Sequence, residues 1–305
     1  MSNLSNNISI IVFSKDRPLQ LQGYLESLLN FSNIDASSIT VLYKFSSLTN
    51  YQKLINEFSK VTWIKEQFFF EDLLTVINHS KDYIMFGCDD VVFKDYFDFS
   101  IALSHLTENE NIFGFSTRLG ENIRPLPENI QRHENILQWN WMDTGTHHWN
   151  YPWELDATIY RKADVINIVT MLDPAKMKNP NFLEGEVANH PKQYISKQEL
   201  SSFKTGKCIV LTINRVQDDF LNEYDKTFNA DIETLYKLYN DGVKVDFISI
   251  SKKKNNSIHV GAEFLKLKSD NNYKSLLLYF QIYWKRIFAF SLNTVGNIFK
   301  KMKTK

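Results

Sequence analysis

The sequence predicts an α/β protein built on an open, mostly parallel sheet with helices on its faces. Two observations carry that prediction. Across residues 9–89, short apolar runs alternate with stretches of helical periodicity, the rhythm of successive βαβ units. The apolar run Tyr83-Ile84-Met85-Phe86-Gly87-Cys88 then meets two adjacent carboxylates, Asp89 and Asp90, before a second apolar run, Val91-Val92-Phe93. A short apolar run bounded by polar residues reads as a buried strand. Asp89 and Asp90 therefore fall at its C-terminal end, the edge where open α/β sheets bind ligands. Two adjacent acids there repel unless a cation lies between them or one keeps its proton. Mg²⁺-like ions are held by one or two carboxylates plus substrate phosphates. The pattern thus points to a metal site facing a phosphorylated ligand; a polar turn or a helix cap is the plainer alternative.

Taken in order, Ser9 to Phe13 reads as the first buried strand, broken by Ser14-Lys15-Asp16-Arg17-Pro18. Pro18 suits the first turn of a helix, and Leu21, Leu25, Leu28 and Leu29 give that helix its apolar stripe. Ile39 to Phe45 is a second strand, Tyr51 to Phe58 a helix, Val61 to Ile64 a short third strand and Phe69 to Ile77 a helix. Further on, Asp95 to Leu106 is expected as helix and Ile112 to Ser116 as strand. Residues 118–153, with three prolines, are expected to be loop-rich. They hold Trp139, Trp141 and Trp149, with Trp153 at their end; these rings suit sugar stacking and core packing alike. His147 and His148 are adjacent, so on a strand they diverge and make no metal pair. Ala157 to Arg161 reads as strand, Ala163 to Leu172 as helix, and Asn179 to Glu186 as a short helix. Cys208 to Asn214 reads as strand, and Ile232 to Tyr239 as a helix with Gly242 past its end. Val245 to Ile250 and Ile258 to Leu267 look strand-like.

The bulk composition is that of a globular chain: 305 residues, 43% hydrophobic, 23% charged. A formal net charge of zero implies no general attraction to nucleic acid. Two cysteines, Cys88 and Cys208, are too few for a disulfide framework and sit in apolar runs, which predicts a reducing compartment. The polar start, Met1 to Asn7, lacks the apolar region of a secretion signal. No repeat or low-complexity linker interrupts residues 1–267, which are expected to form one domain. Residues 268–305 differ. After Asp270 there is no acid, while Lys274, Lys285, Arg286, Lys300, Lys301, Lys303 and Lys305 flank many aromatic and aliphatic residues. A basic amphipathic helix of this kind suits an anionic membrane surface, so the expected location is cytoplasmic and peripheral on the inner face of the cell membrane. Packing on the domain or on a partner chain is the alternative.

Asp89-Asp90 at the end of an apolar strand, after three βα units, resembles the Asp-x-Asp region of the GT-A-type nucleotide-sugar glycosyltransferases. Residues 10–18, Ile-Ile-Val-Phe-Ser-Lys-Asp-Arg-Pro, look like the first-strand loop that contacts the nucleotide in that family. Asp156-Ala157-Thr158-Ile159-Tyr160-Arg161 resembles the segment lining the acceptor side, and Asn179 to Glu184 the segment supplying an acid near the acceptor. The resemblance spans roughly residues 8–265 by order and spacing. It implies a GT-A-like, Rossmann-type sheet, a nucleotide-diphosphate sugar as donor, a carbohydrate or lipid-linked acceptor, and Mn²⁺ or Mg²⁺. Donor contacts are expected from Ser14, Asp16, Arg17, Tyr43, Asp89 and Arg215, the last through its forked donors.

One departure stands out: the triplet is Cys88-Asp89-Asp90, with the first acid lost. Asp90 then becomes the leading metal ligand, and Asp89 serves the ribose or a metal-bound water. His259, on a late strand, is a further candidate ligand, since family members often complete the metal shell near the C-terminus. A lone histidine is more often structural. Among the acids, Glu184 is favoured as the base that takes the acceptor's proton, with Asp156 and Glu186 as alternatives. Glu184 and Glu186 lie two apart, so a helix turns them in different directions; either could instead be an ordinary first-turn acid. A metal-dependent nucleotidyl or phosphoryl transferase and a non-catalytic nucleotide-sugar-binding module are the competing functions.

Overall fold

The structure, a computed structural model, describes residues 4–145, 148–216 and 231–269. Its strands are β1 (Ile8–Lys15), β2 (Ile39–Lys44), β3 (Thr62–Lys65), β4 (Tyr83–Cys88), β5 (Val91–Phe93), β6 (Ile112–Ser116), β7 (Gln131–His133), β8 (Ile136–Asn140), β9 (Thr158–Arg161), β10 (Glu199–Phe203), β11 (Cys208–Leu211), β12 (Lys244–Val245), β13 (His259–Val260) and β14 (Leu267–Lys268). Between them lie α1 (Pro18–Phe31), α2 (Gln52–Glu57), α3 (Phe69–His79), α4 (Phe99–Glu108), α5 (Lys162–Met171), α6 (Pro180–Asn189), α7 (Pro191–Tyr194), α8 (Ile232–Asn240) and α9 (Phe247–Ser251).

Nine strands form the central sheet, in the order β3-β2-β1-β4-β9-β6-β10-β8-β7. Seven share the direction of β1; β8 and β9 run against them. The sheet is thus mostly parallel, as expected. From β1 the chain winds outward through β2 and β3, then returns to place β4 on the other side of β1. That reversal makes a crevice at the C-terminal ends of β1 and β4, the switch point where doubly wound sheets bind ligands.

Burial on both faces explains the near-continuous apolar strands: Ile8, Ile10, Ile11 and Val12 of β1 and Ile84, Met85 and Phe86 of β4 are fully buried. Gly87 is required by packing. A Cβ there would lie 2.2 Å from the Tyr24 hydroxyl of α1, so the missing side chain lets α1 press onto the sheet.

After β4 the chain leaves the sheet. β5 pairs antiparallel with β11, and β11 pairs parallel with β13, in a small second sheet. The Leu211 N–H donates to the Asp90 carbonyl at 2.8 Å, which fixes the backbone just past β4.

Several expectations are corrected. The run expected as a strand from Val245 to Ile250 is mainly helix: the Asp246 side chain accepts from the Ser249 N–H at 3.1 Å and starts α9. Within Ile258 to Leu267 only the two-residue strands β13 and β14 form, separated by a turn in which the Phe264 N–H donates to the Gly261 carbonyl. α4 begins at Phe99, where Asp98 caps it, and not at Asp95. The loop-rich region 118–153 contains the β7–β8 hairpin, turned at Glu134 with φ of 44°. β10, absent from the sequence expectation, sits between β6 and β8.

Trp139, Trp141, Trp149 and Trp153 are all buried and belong to the core. Trp139 Nε1 donates to the Trp149 carbonyl and Trp141 Nε1 to the Lys197 carbonyl. Cys88 and Cys208 are free thiols. β14 pairs with β12; residues 270–305, where the amphipathic tail is expected, lie outside the described residues, as does His147. No helix among the described residues is long and apolar enough to cross a membrane.

Candidate active site

The loop after β1 and the loop after β4 are neighbours because their strands pair in register, Phe13 opposite Cys88. The Asp89 N–H donates to the Phe13 carbonyl at 3.2 Å, which sets Asp89 beside Ser14. Asp89 is 3% exposed. Its Oδ2 accepts from Ser14 Oγ at 2.8 Å and from the Lys15 N–H at 3.3 Å, and its Oδ1 from Arg17 Nη1 at 3.0 Å. The same Arg17 Nη1 lies 3.0 Å from Asp90 Oδ2, and Nη2 donates to the Asn214 carbonyl at 2.5 Å. The cation that two adjacent acids demand is thus supplied by the chain itself. Burial works against the Arg17 charge, but Asp89 and Asp90 more than offset it and hold the guanidinium firmly protonated.

The other donor-side candidates divide into two kinds. Asp16, with φ of 57°, turns its carboxylate onto the loop after β2: Oδ1 accepts from the Ser46 N–H at 2.7 Å, Ser46 Oγ at 3.0 Å and Thr49 Oγ1 at 2.7 Å. It shapes the mouth of the crevice. Ser14 also bonds the Tyr51 hydroxyl at 2.7 Å, which in turn accepts from the Arg17 N–H, so Tyr51 of the β2–α2 connection braces the β1 loop. Tyr43 is half-buried among Phe45, Tyr51 and Trp63 near the same edge. Arg215, half-buried, follows Asn214, whose carbonyl Arg17 holds.

The acceptor-side acids reach this edge through β9. Because β9 opposes β4, pairing Met85 with Ile159 and Ile84 with Tyr160, its N-terminal end lies at the C-terminal end of β4. Ala157, at φ of 77°, turns the chain there and its N–H donates to the Phe86 carbonyl. Asp156 is thereby delivered toward Asp90. The end of β6 arrives beside them, since Ser116 pairs with Thr158, and brings Arg118. Arg118 Nε lies 2.9 Å from Glu154 Oε2, and its Nη1 lies 3.7 Å from Asp156 Oδ2. Glu154 is 2% exposed and also accepts from the Asp156 N–H and from Thr158 Oγ1.

Glu184 lies in the middle of α6, whose N-terminus is capped by Asn179. It is therefore not a first-turn acid. Asp156, Arg118 and Glu154 lie near enough to act on its charge, and the Leu155 backbone eases its ionisation. Glu186 turns away and accepts from the Tyr194 hydroxyl at 3.1 Å.

The electrostatics report a surplus of negative charge. Among the described residues, Asp89, Asp90, Glu154 and Asp156 form ion pairs with Arg17 and Arg118, and Glu184 lies near Arg118. Burial pushes Asp90 up to about 7 against the pull of Arg17, with Asp89 and Asp156 adding to the push. Burial, then Asp156, pushes Glu184 up to about 8 against Arg118. Glu154 is also raised, by burial. His259 on β13 is exposed yet lies close enough to feel Arg118 and Asp156; partial desolvation, then Arg118, lowers its pKa against the pull of Asp156, and its ring lies 5.4 Å from that of His148.

Among the described residues no three His, Cys, Asp or Glu side chains converge closely enough to hold a metal ion by themselves. The donor set fits Mg²⁺ or Mn²⁺ in the shared form, with one or two carboxylates and the remaining ligands from phosphate and water. Asp90 is the carboxylate placed for that, because Asp89 is already surrounded by protein donors. Arg118 and Glu154 were not singled out from the sequence. Glu154 stands two before Asp156 ahead of a strand, and Arg118 stands two past the end of another, spacings that offered a signal.

A mostly parallel α/β sheet with acids gathered at its C-terminal edge is the architecture expected of a GT-A-like protein. The resemblance drawn from the sequence is met by a curated glycosyltransferase: the chain is similar to the bifunctional glycosyltransferase pgtA of Dictyostelium discoideum, 30% identical across 85% of this chain and 39% of that protein. The chain thus spans 39% of the length of the curated relative it matches. No protein-family model matches the chain. Among solved structures it is similar to S. aureus TarS 1-349 in complex with UDP-GlcNAc, at 13% identity and a TM-score of 0.44 over 72% of this chain and 62% of that one. It is also similar to the mannosyltransferase PcManGT of Pyrobaculum calidifontis in complex with GDP-Man and Mn²⁺, at 8% identity and a TM-score of 0.35 over 52% of this chain and 46% of that one.

Proposed function

We propose that this chain is a glycosyltransferase that moves a hexosyl group from a nucleotide-diphosphate sugar to a glycan or lipid-linked acceptor. The observation that carries this is the meeting of Asp90, Asp156 and Glu184 at one sheet edge, beside the Ser14–Arg17 loop and at the β1/β4 switch point. The relationship to a curated glycosyltransferase supports it.

In this proposal the donor's diphosphate lies over the β1 and β4 loops, within reach of Arg17 and Arg215. Asp90, with Asp156 beside it, would hold the divalent ion against the phosphates. Such an ion neutralises charge growing on the leaving diphosphate. Glu184 takes the proton from the acceptor hydroxyl as that oxygen bonds to the anomeric carbon. The bond from that carbon to the diphosphate oxygen breaks, and the nucleoside diphosphate leaves. The raised affinity of Glu184 for a proton suits a base that must capture one. Arg118 holds Glu154 and Asp156, and so fixes the wall against which Glu184 works.

The basic tail after Asp270 would bring the enzyme to the inner face of the cell membrane, in reach of lipid-linked acceptors for polysaccharide synthesis.

The test is a panel of nucleotide sugars, read first by thermal shift with and without Mn²⁺ and then by product analysis. Stabilisation by one donor, followed by release of its nucleoside diphosphate, is the expected result. Release of pyrophosphate or inorganic phosphate instead would make the chain a nucleotidyl or phosphoryl transferase. Binding with no turnover on any acceptor would make it a binding module.

A further inference from the structure

Arg17 is the least settled member of the acid cluster. One nitrogen, Nη1, lies 3.0 Å from both Asp89 and Asp90, the position a bound cation would take between two adjacent carboxylates. Nη2 is spent on the Asn214 carbonyl. Nε is buried with no hydrogen-bond partner, although a buried donor left unpaired is costly. The side chain as a whole is 9% exposed.

Its two carboxylates are unequal. Asp89 keeps Ser14 Oγ and the Lys15 N–H whether or not Arg17 stays, and its side chain is 4% exposed. Asp90 has an 18% exposed side chain, and Arg17 is the cation it meets. Among the described residues, the other charges that act on it most are those of Asp89 and Asp156, both negative. Releasing Asp90 therefore costs Arg17 less than releasing Asp89, and leaves a carboxylate that needs another positive charge at once.

We propose that Arg17 and a divalent cation compete for Asp90: the guanidinium occupies the place between Asp89 and Asp90 in the ligand-free protein and yields Asp90 when the ion arrives, keeping its hold on Asp89. This rests on the assignment of the ion to Asp90. It makes Arg17 a positioning residue that offsets part of the negative charge at the site until the ion arrives. An arriving diphosphate would favour the exchange, because its oxygens offer an acceptor to the Nη1 N–H that Asp90 releases, while the other Nη1 N–H stays on Asp89.

The experiment is calorimetric titration of Mn²⁺ alone into the full chain and into Arg17→Gln, Asp90→Asn and the double variant. With the competitor removed, Arg17→Gln binds Mn²⁺ on the order of tenfold more tightly than the unaltered chain, the size expected of coupling between groups in contact. The gain vanishes in the double variant. Equal or weaker binding by Arg17→Gln, with Asp90→Asn still abolishing binding in the unaltered background, overturns the competition while leaving the metal at Asp90. Absence of Mn²⁺ binding in every form overturns the metal assignment and the competition with it. Should Arg17→Gln fail to fold, Arg17→Lys serves. A compact ammonium cannot reach both carboxylates and the Asn214 carbonyl together, so a gain in Mn²⁺ affinity supports the proposal and no gain overturns it.

Discussion

Glu184 sits where a weakly acidic carboxyl is useful. Replacing it by Gln removes the proposed proton acceptor while keeping shape, so transfer is expected to fall by about 10²–10⁴ with donor affinity, read by calorimetry, unchanged. If Glu184→Gln stays active, the base lies elsewhere, with Asp156 next in line. The base form is the deprotonated one, and Glu184 holds its proton up to about 8 in the ligand-free protein. The expected kcat/KM profile therefore rises with pH through about 8; a profile flat from pH 6 to 9 contradicts that.

The adjacent aspartates separate in a different way. Asp90→Asn is expected to weaken Mn²⁺-dependent nucleoside diphosphate binding and leave the fold intact, since Asp90 is partly exposed and already half inclined to be neutral. Asp89→Asn should instead cost stability, on the order of 3 kcal/mol, because it breaks a fully buried charge pair. Denaturant titration of the two variants distinguishes them. From sequence, the pair was visible but their roles were not. Asp89 was expected to face the ribose or a water. The register Phe13 to Cys88 turns it inward onto Ser14, and register between strands 75 residues apart is not written in local pattern.

Elements of strong period were legible: β1, α1, β2, α3 and β4 lie close to where alternating apolar runs placed them. What failed was governed by partners far along the chain or by single polar side chains. β10, Glu-Leu-Ser-Ser-Phe, has little hydrophobic signal and forms because β6 and β8 leave it a slot. The tryptophans gave no sign of which way they would face; packing drew all four indoors. Gly87 is the element-scale test. Gly87→Ala places a methyl against Tyr24, which must push α1 off β4 or displace the ring, at about 1–3 kcal/mol. Unchanged denaturation midpoints would show that α1 and β4 have slack there.

For the whole molecule, the crowded acids predict a stability that depends on pH in an unusual direction. Asp90 and Glu184 hold protons in the folded chain up to about 7 and 8, whereas unfolded carboxyls release theirs near pH 4. Between those limits the folded state binds more protons than the unfolded state. Their contribution is therefore fully present in acid and is lost as pH rises from about 4 to about 8. Glu184→Gln should flatten the stability curve of the ligand-free protein across that window; an unaltered slope in thermal scans from pH 5 to 8 would exclude Glu184 as its source. Deleting residues 271–305, the proposed membrane anchor, should release the protein from anionic liposomes at low salt and spare turnover of soluble substrates. Retained liposome binding by the shortened chain places the contact elsewhere.

The opposed direction of β9 also has a consequence in time. Arg17 and Asp89 are joined as soon as β1 and β4 pair, but Asp156 cannot reach Asp90 until about 70 further residues have been made and folded back against β4. During synthesis the donor side is thus still part-built when Asp156 emerges, because Leu211, which fixes the Asp90 backbone, and Asn214, which holds Arg17, are made later still, and the edge is whole only once β11 has paired with β5.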